Sequence, residues 1–237
     1  MSLTKDLFKA SLGLRSLLSV PMSKGATKAP AVIPVRPVGI GERDHIARHL
    51  LDLDATDRYL RFGFAASDEQ VQRYVDGLNF ERDELFGIYN RKLELIAMAH
   101  LAFAPNDVDP GCAEFGVSVS KHARGRGYGG LLFQSASTHA RNAGVSMLFI
   151  HALSENVAML KIARKAGASV VRSGSESEAH LQLPLATFDS HMSQIVESHY
   201  AEVDYRIKAR AKQFWAFLAG VQEIRSGIRD ARSKSSQ

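Results

Sequence analysis

Residues 113–130, AEFGVSVSKHARGRGYGG, place a strand with one carboxylate directly before an Arg-Gly-rich loop that opens a helix. Alternation along Glu114 to Val119 puts Phe115, Val117 and Val119 on one face and Glu114, Gly116 and Ser118 on the other, so the second face is small and carries a single acid. Gly125, Gly127, Gly129 and Gly130 keep side chains away from backbone N–H groups at the helix start, where a pyrophosphate would bind and the helix dipole favours negative charge. Arg124 and Arg126 add fixed positive charge. The chemistry implied is that of an anion cradle.

Gly125-x-Gly127-x-x-Gly130 also satisfies the dinucleotide fingerprint, yet the segment before it reads as an antiparallel hairpin, and Phe149-Ile150-His151 ends the next strand without an acid. No Gly-Lys-Ser/Thr follows, so the nucleotide P-loop pattern fails as well. The expected ligand is a phosphate-bearing molecule of another kind.

The elements that must position this loop follow from periodicity. Ser23–Pro37 is Lys-, Ala- and Pro-rich and reads as a linker merging into a first strand near Val32–Val38. Gly41–Leu53 and Asp68–Leu78 fit two short amphipathic helices, the second capped by Ser67 with Gln70 at the capping-box position. Leu85–Tyr89 and Leu93–Phe103 flank a turn at Asn90-Arg91-Lys92, and Pro105–Gly111 is a loop into the strand of Glu114. A helix over Gly127–Arg141 stops at Gly144. Met147–Ile150 then reads as a buried strand, Asn156–Ala166 as a helix ended by Gly167, and Ser169–Arg172 and His180–Leu185 as closing strands. This order predicts an α/β fold with a mixed, largely antiparallel sheet flanked by helices. Residues 189–232 hold helical spacing without proline and predict a C-terminal helical extension, whose apolar stripe includes Phe214, Trp215, Phe217 and Leu218. It is expected to pack back on its own domain or to form a homodimer contact.

The net charge of +5 hides a partition: residues 1–36 and residues 204–237 each carry +5, which leaves 37–203 at −5. An acidic body with basic ends admits nucleic-acid or membrane contact, though solvated tails are the more ordinary reading. One cysteine, Cys112, excludes an internal disulfide and a Cys-rich metal site. The first segment interrupts its apolar run with Lys9 and Arg15, which argues against a signal peptide, and the expected location is cytoplasmic. His45 and His49 have zinc-compatible i, i+4 spacing, but no third ligand is visible, so surface polarity is the expectation and no metal is assigned.

Arg124-x-x-Gly127-x-Gly129, with Asn156 opening the later helix and Gly167 eleven residues on, resembles the GNAT superfamily of acyl-CoA-dependent N-acyltransferases. The resemblance covers roughly Val32–Leu185. It divides the chain into a basic N-terminal extension, 1–31, an acyltransferase domain, 32–186, and a basic helical extension, 187–237. Within the superfamily, Arg58-Tyr59-Leu60-Arg61-Phe62, Ala113-Glu114-Phe115 and Glu155-Asn156-x-x-Met159-Leu160 look like the domains of bacterial protein-lysine acetyltransferases.

The resemblance implies acetyl-CoA as co-substrate, with a pyrophosphate site built from Arg124, Gly125, Arg126, Gly127, Tyr128, Gly129 and Gly130. Val117, Val119 and Asn156 would line the pantetheine arm where two strands splay. Glu114 would be the general base for transfer to a primary amine, on a small molecule or a protein lysine. One position departs from the pattern: Ala163 stands where many members carry a tyrosine acid. An alkyl thiol, with a pKa of about 8.5, needs less proton assistance than an alkoxide or amide leaving group, and Ser154 or water are substitutes. The departure also admits a non-catalytic acyl-CoA sensor with the C-terminal helices as its interaction element. Arg58 and Arg61 are either acidic-group readers or structural salt-bridge partners.

Overall fold

The computed structural model describes residues 33–105, 111–187, 189–206 and 208–209. The expectations for the N-terminal extension, for Asn106–Pro110 and for the stripe from Phe214 onward lie outside the described residues.

Seven strands form one sheet: β1 (Arg36–Pro37), β2 (Glu84–Tyr89), β3 (Leu95–Phe103), β4 (Cys112–Val119), β5 (Met147–Leu153), β6 (Ser169–Ser173) and β7 (Glu176–Gln182). Their spatial order is β1-β2-β3-β4-β5-β7-β6. Every neighbouring pair is antiparallel except β4 with β5. The helices are α1 (Arg43–Leu51), α2 (Ala55–Phe62), α3 (Asp68–Asp76), α4 (Tyr128–Asn142) and α5 (Val157–Lys165), followed by α6 over residues 189–206. None of the described helices is long and apolar enough to cross a membrane.

The expected order holds with one addition, a third helix, α2, before the hairpin. β7 also begins four residues earlier than its predicted start and ends at Gln182. The sheet separates two cores. On one side Phe115, Ile88 and Leu101 pack with Leu132, Phe133 and Ala136 of α4 and with Met159 and Ala163 of α5. On the other, Leu85, Leu95 and Met98 pack with Ile46 and Leu50 of α1 and Val71 and Val75 of α3. β3, covered on both faces, is accordingly apolar with little alternation. The predicted cap of α3 forms: the Ser67 hydroxyl accepts from Gln70 N–H, and the Gln70 side chain accepts from Ser67 N–H at 2.9 Å.

Helix α6 packs back on this body. Tyr205 meets Tyr89 edge-on, the Arg36 guanidinium lies 3.9 Å from the Tyr205 ring centroid, and Glu202 pairs with Arg36 at 3.3 Å. Its opposite side leaves Ile195, Val196 and Tyr200 exposed.

Candidate functional site

A cleft of about 1200 Å³ runs from the loop before α4 between α4 and α5, along Val117–Val119 of β4, with Leu60 and Arg61 of α2 in its wall. Beside the β4 wall of the cleft the sheet itself opens. β4 and β5 pair at Cys112–Met147, Ala113–Leu148 and Glu114–Phe149 and then part, although β4 continues to Val119 and β5 to Leu153. On its other edge β4 stays paired to β3 over Ala113–Val119.

The hydrogen bonds that bound this ladder fix which peptide groups face the gap. Ala104 N–H donates to Cys112 O at 3.0 Å and Ser120 N–H to Ile96 O at 2.9 Å, so the even-numbered residues of β4 bond to β3. The N–H and C=O groups of Val117 and Val119 therefore point toward β5, where pairing has ended.

The loop beyond β4 turns through left-handed backbone at Gly125 (φ 75°) and Gly127 (φ 79°), with open space where a Cβ would sit at either. Gly127 caps α4 with no side-chain hydrogen bond to the first turn, and no acid stands in that turn. The N–H groups of Tyr128, Gly129 and Gly130 are the unbonded donors of a fifteen-residue helix. Gly129 serves packing, because a Cβ there would lie 3.0 Å from Ile162 of α5. Arg126 is exposed, and Arg141 of α4 with Lys161 and Lys165 of α5 line the same cleft, cations that no motif announced.

Arg124 is less available than its sequence position implied. Its Nη2 pairs with the buried Asp57 of α2, and its Nε donates to Val119 O at 3.3 Å. It thereby ties the loop to α2 and to the end of β4. Asn156 likewise serves two partners. Its Oδ1 caps α5 by accepting from Met159 N–H at 3.1 Å, while Nδ2 donates to Leu60 O at 3.3 Å. Helix α2 thus meets the cleft through Asp57, Leu60 and Arg61.

His49 is not a surface residue, contrary to expectation. It is 3% exposed, its Nδ1–H donates to Leu95 O at 3.0 Å, and its Nε2 accepts from the Ser118 hydroxyl at 2.8 Å. Burial, reinforced by the nearby Arg61 charge, lowers its pKa to about 4 and keeps the ring neutral. Among the described residues no three His, Cys, Asp or Glu side chains are grouped to hold a metal ion.

A second polar chain lies on the same sheet face. Arg61 Nη2 donates to Tyr74 Oη at 2.8 Å, Tyr74 donates to His100 Nδ1 at 2.7 Å, and His100 Nε2–H donates to Asp83 at 3.1 Å. Burial, with Arg61 adding to it, depresses the His100 pKa, which leaves Nδ1 free to accept. Burial works against the Asp83 carboxylate, but its bonds to Arg82 and His100 prevail and hold its pKa below the usual range.

Val117, Val119, Arg124 through Gly130 and Asn156 all line the one cleft. Glu114 does not; it sits at the root of the split, half-exposed, with Oε1 3.4 Å from His151 Nδ1. Ala163 is wholly buried in the α5 core. Ser154 turns away, donating to Glu176 O at 2.9 Å and lying 2.8 Å from Ser177 Oγ. Ser118 does line the cleft, as do Ser137 and Thr138 of α4, and only its small size and place on the strand hinted at that.

Residues 34–169 match the acetyltransferase (GNAT) domain family. No curated protein sequence matches the chain. Among solved structures, the GNAT domain of PAT from S. lividans superposes with a TM-score of 0.54 at 19% identity, covering 63% of this chain and 89% of that one. An N-acetyltransferase from Staphylococcus aureus gives 0.54 at 14%, over 65% and 100% of the two chains. A ribosomal-protein-alanine N-acetyltransferase from Brucella melitensis gives 0.51 at 16%, over 63% and 99%. At these identities the likeness is one of fold.

Proposed function

We propose, for a chain that belongs to the GNAT acetyltransferase family, that it moves an acetyl group from acetyl-CoA to a primary amine by direct attack, with Glu114 as general base. Family membership makes it an acyl-CoA-dependent N-acyltransferase; the amine, on a small molecule or a protein lysine, and the base are the finer reading. The observation that carries it is the split between β4 and β5, with the peptide groups of Val117 and Val119 facing it and the uncapped start of α4 at its mouth.

The residues present suit the co-substrate. The first-turn N–H groups of α4, two left-handed glycines without nearby atoms, and the cations Arg126, Lys161 and Lys165 are a setting for a pyrophosphate. The gap beyond Glu114 offers peptide donors and acceptors to an extended amide-bearing arm. Acetyl-CoA, when bound, supplies the acyl group activated as a thioester.

The chain's own part is positioning and charge. N–H groups of Val117 and Val119 would receive the negative charge that develops on the carbonyl oxygen, as preorganised donors. Glu114, reachable from solvent and steadied by His151, would take a proton from the amine directly or through one water. Holding both reactants along one strand accounts for the rest of the acceleration.

The test is release of free thiol from acetyl-CoA across a panel of amines and lysine peptides. Amine-dependent release and an acetylated product support transfer. Slow release that ignores the amine favours the alternative, a non-catalytic acyl-CoA sensor, to which the buried Ala163 lends its weight.

A further inference from the structure

The two arginines of α2 have opposite fates. Arg58 is spent inside the fold: it pairs with Asp68 at 2.5 Å and donates to the carbonyls of Leu51 at 2.5 Å and Leu53 at 3.2 Å. Arg61, one turn closer to the cleft, has no ion pair among the described residues. One of its N–H donors is used, on Tyr74 Oη, and its buried Nε has no acceptor.

What holds Arg61 is shape, not a counter-charge. Its guanidinium lies against Gly116 of β4 so closely that a Cβ there would sit 2.9 Å from Nη2 and 3.0 Å from Cζ. The ring centroids of Phe62 and Tyr74 each stand 5.3 Å from Cζ, within the range of cation–π attraction. Glu114, two residues along the same strand face, turns to His151 instead. The polar chain behind Arg61 contains one carboxylate, Asp83, and that is already engaged by Arg82 at 2.7 Å. One positive charge therefore remains unmatched in the cleft wall, against the residue that precedes Val117. Its field is felt on both sides, since it lowers the pKa of His49 and of His100.

We propose that Arg61, seated on Gly116, is the anchor for a carboxylate carried by one of the two reactants, either the acceptor amine or the acyl chain. A planar guanidinium with unused donors matches a carboxylate in two parallel hydrogen bonds, and its weak hydration suits a half-enclosed wall. The proposal rests on the acyl-transfer reading for what the anchored molecule does, and it names the substrate class as anionic.

Calorimetry on the full chain separates the two sources. In one arm, the protein loaded with coenzyme A is titrated with common L-amino acids and with their methyl esters. In the other, the unloaded protein is titrated with succinyl-CoA and with acetyl-CoA. In one arm the carboxylate-bearing member should bind at least about tenfold more tightly than its neutral analogue, as a charge-assisted pair provides. Arg61→Met should erase that preference while moving the neutral analogue less than about threefold. Gly116→Ala, which keeps the charge but displaces the guanidinium, should weaken the preference too, and it decides the matter if Arg61→Met does not fold. Absence of any preference in both arms, or a preference that survives both substitutions, overturns the proposal. Thiol release is followed separately, so failure of acyl transfer and failure of anion binding give different results.

Discussion

The hydroxyl of Ser118, in the middle of the cleft wall, donates to Nε2 of His49 across 2.8 Å, and the other ring nitrogen donates to Leu95 O. The pair fixes the imidazole tautomer and leaves the lone pairs of Ser118 as the surface offered to a ligand. It also makes the fold sensitive to acid, because a proton on Nε2 would abolish the acceptor that Ser118 uses.

The folded-state pKa of His49, about 4, lies below the unfolded value of 6.5, so between these limits the unfolded chain binds more protons. Stability supplied by this group is present above pH 6.5 and lost as pH falls toward 4. The full difference corresponds to about 3 kcal/mol, of which about 2 is gone at about pH 5. Urea unfolding of wild type and His49→Gln at about pH 7.5 and about pH 5 should show the variant losing about 2 kcal/mol less over that interval. Equal losses would show that the ring titrates normally.

Replacing Gly127 by Glu forces an L side chain into left-handed backbone at φ 79° and puts a negative charge at the start of α4. Acetyl-CoA affinity by calorimetry should fall at least about a hundredfold, the combined effect of strain and repulsion at an anion site. An unchanged dissociation constant would remove the pyrophosphate from this loop.

With a working amine near neutral pH, Glu114→Gln should lower kcat by about 10² to 10⁴ and leave the KM for acetyl-CoA within about threefold. A loss smaller than about tenfold would mean that the amine gives up its proton elsewhere.

Restoring the family's tyrosine should not restore an acid. Ala163 is fully enclosed by the core around α5, so Ala163→Tyr should destabilise the protein by about 1–3 kcal/mol through overpacking, with no gain in kcat. Thermal unfolding and thiol release measure the two halves of this prediction. A faster, equally stable variant would mean that the ring reaches the cleft.

The strand of Glu114, the glycine loop and the Asn156 helix are legible in the sequence because each rests on local chemistry: period-two alternation, φ-permissive residues and a side-chain cap. Helix α2 is not, and the reason lies in its composition. Its buried residue is the charged Asp57, and the apolar stripe it does carry, Ala55, Tyr59 and Phe62 at i, i+4 and i+7, spans only eight residues and is too short to stand out from the chain around it. The readable signals are its ends: Asp54, whose side chain accepts from Asp57 N–H, and Gly63 at φ 81°. His49 escapes for a related reason, since spacing shows which helix face a residue occupies but not that Ser118, remote in sequence, waits there. The parting of β4 from β5 at Glu114 is a property of register between distant segments and leaves no local mark.

That parting gives the sheet a mechanical character. β1 to β4 form one ribbon and β5, β7 and β6 another, and three residue pairs form the seam between them. A molecule lodged in the cleft touches Val117 to Val119 of one ribbon and Leu181 and Gln182 of the other, so it acts as a splint across the weakest joint of the sheet. Occupancy should then be written in the amide exchange of β5 beyond Phe149, which slows when the two ribbons are braced, while the interior of β3, paired on both edges throughout, keeps its protection either way.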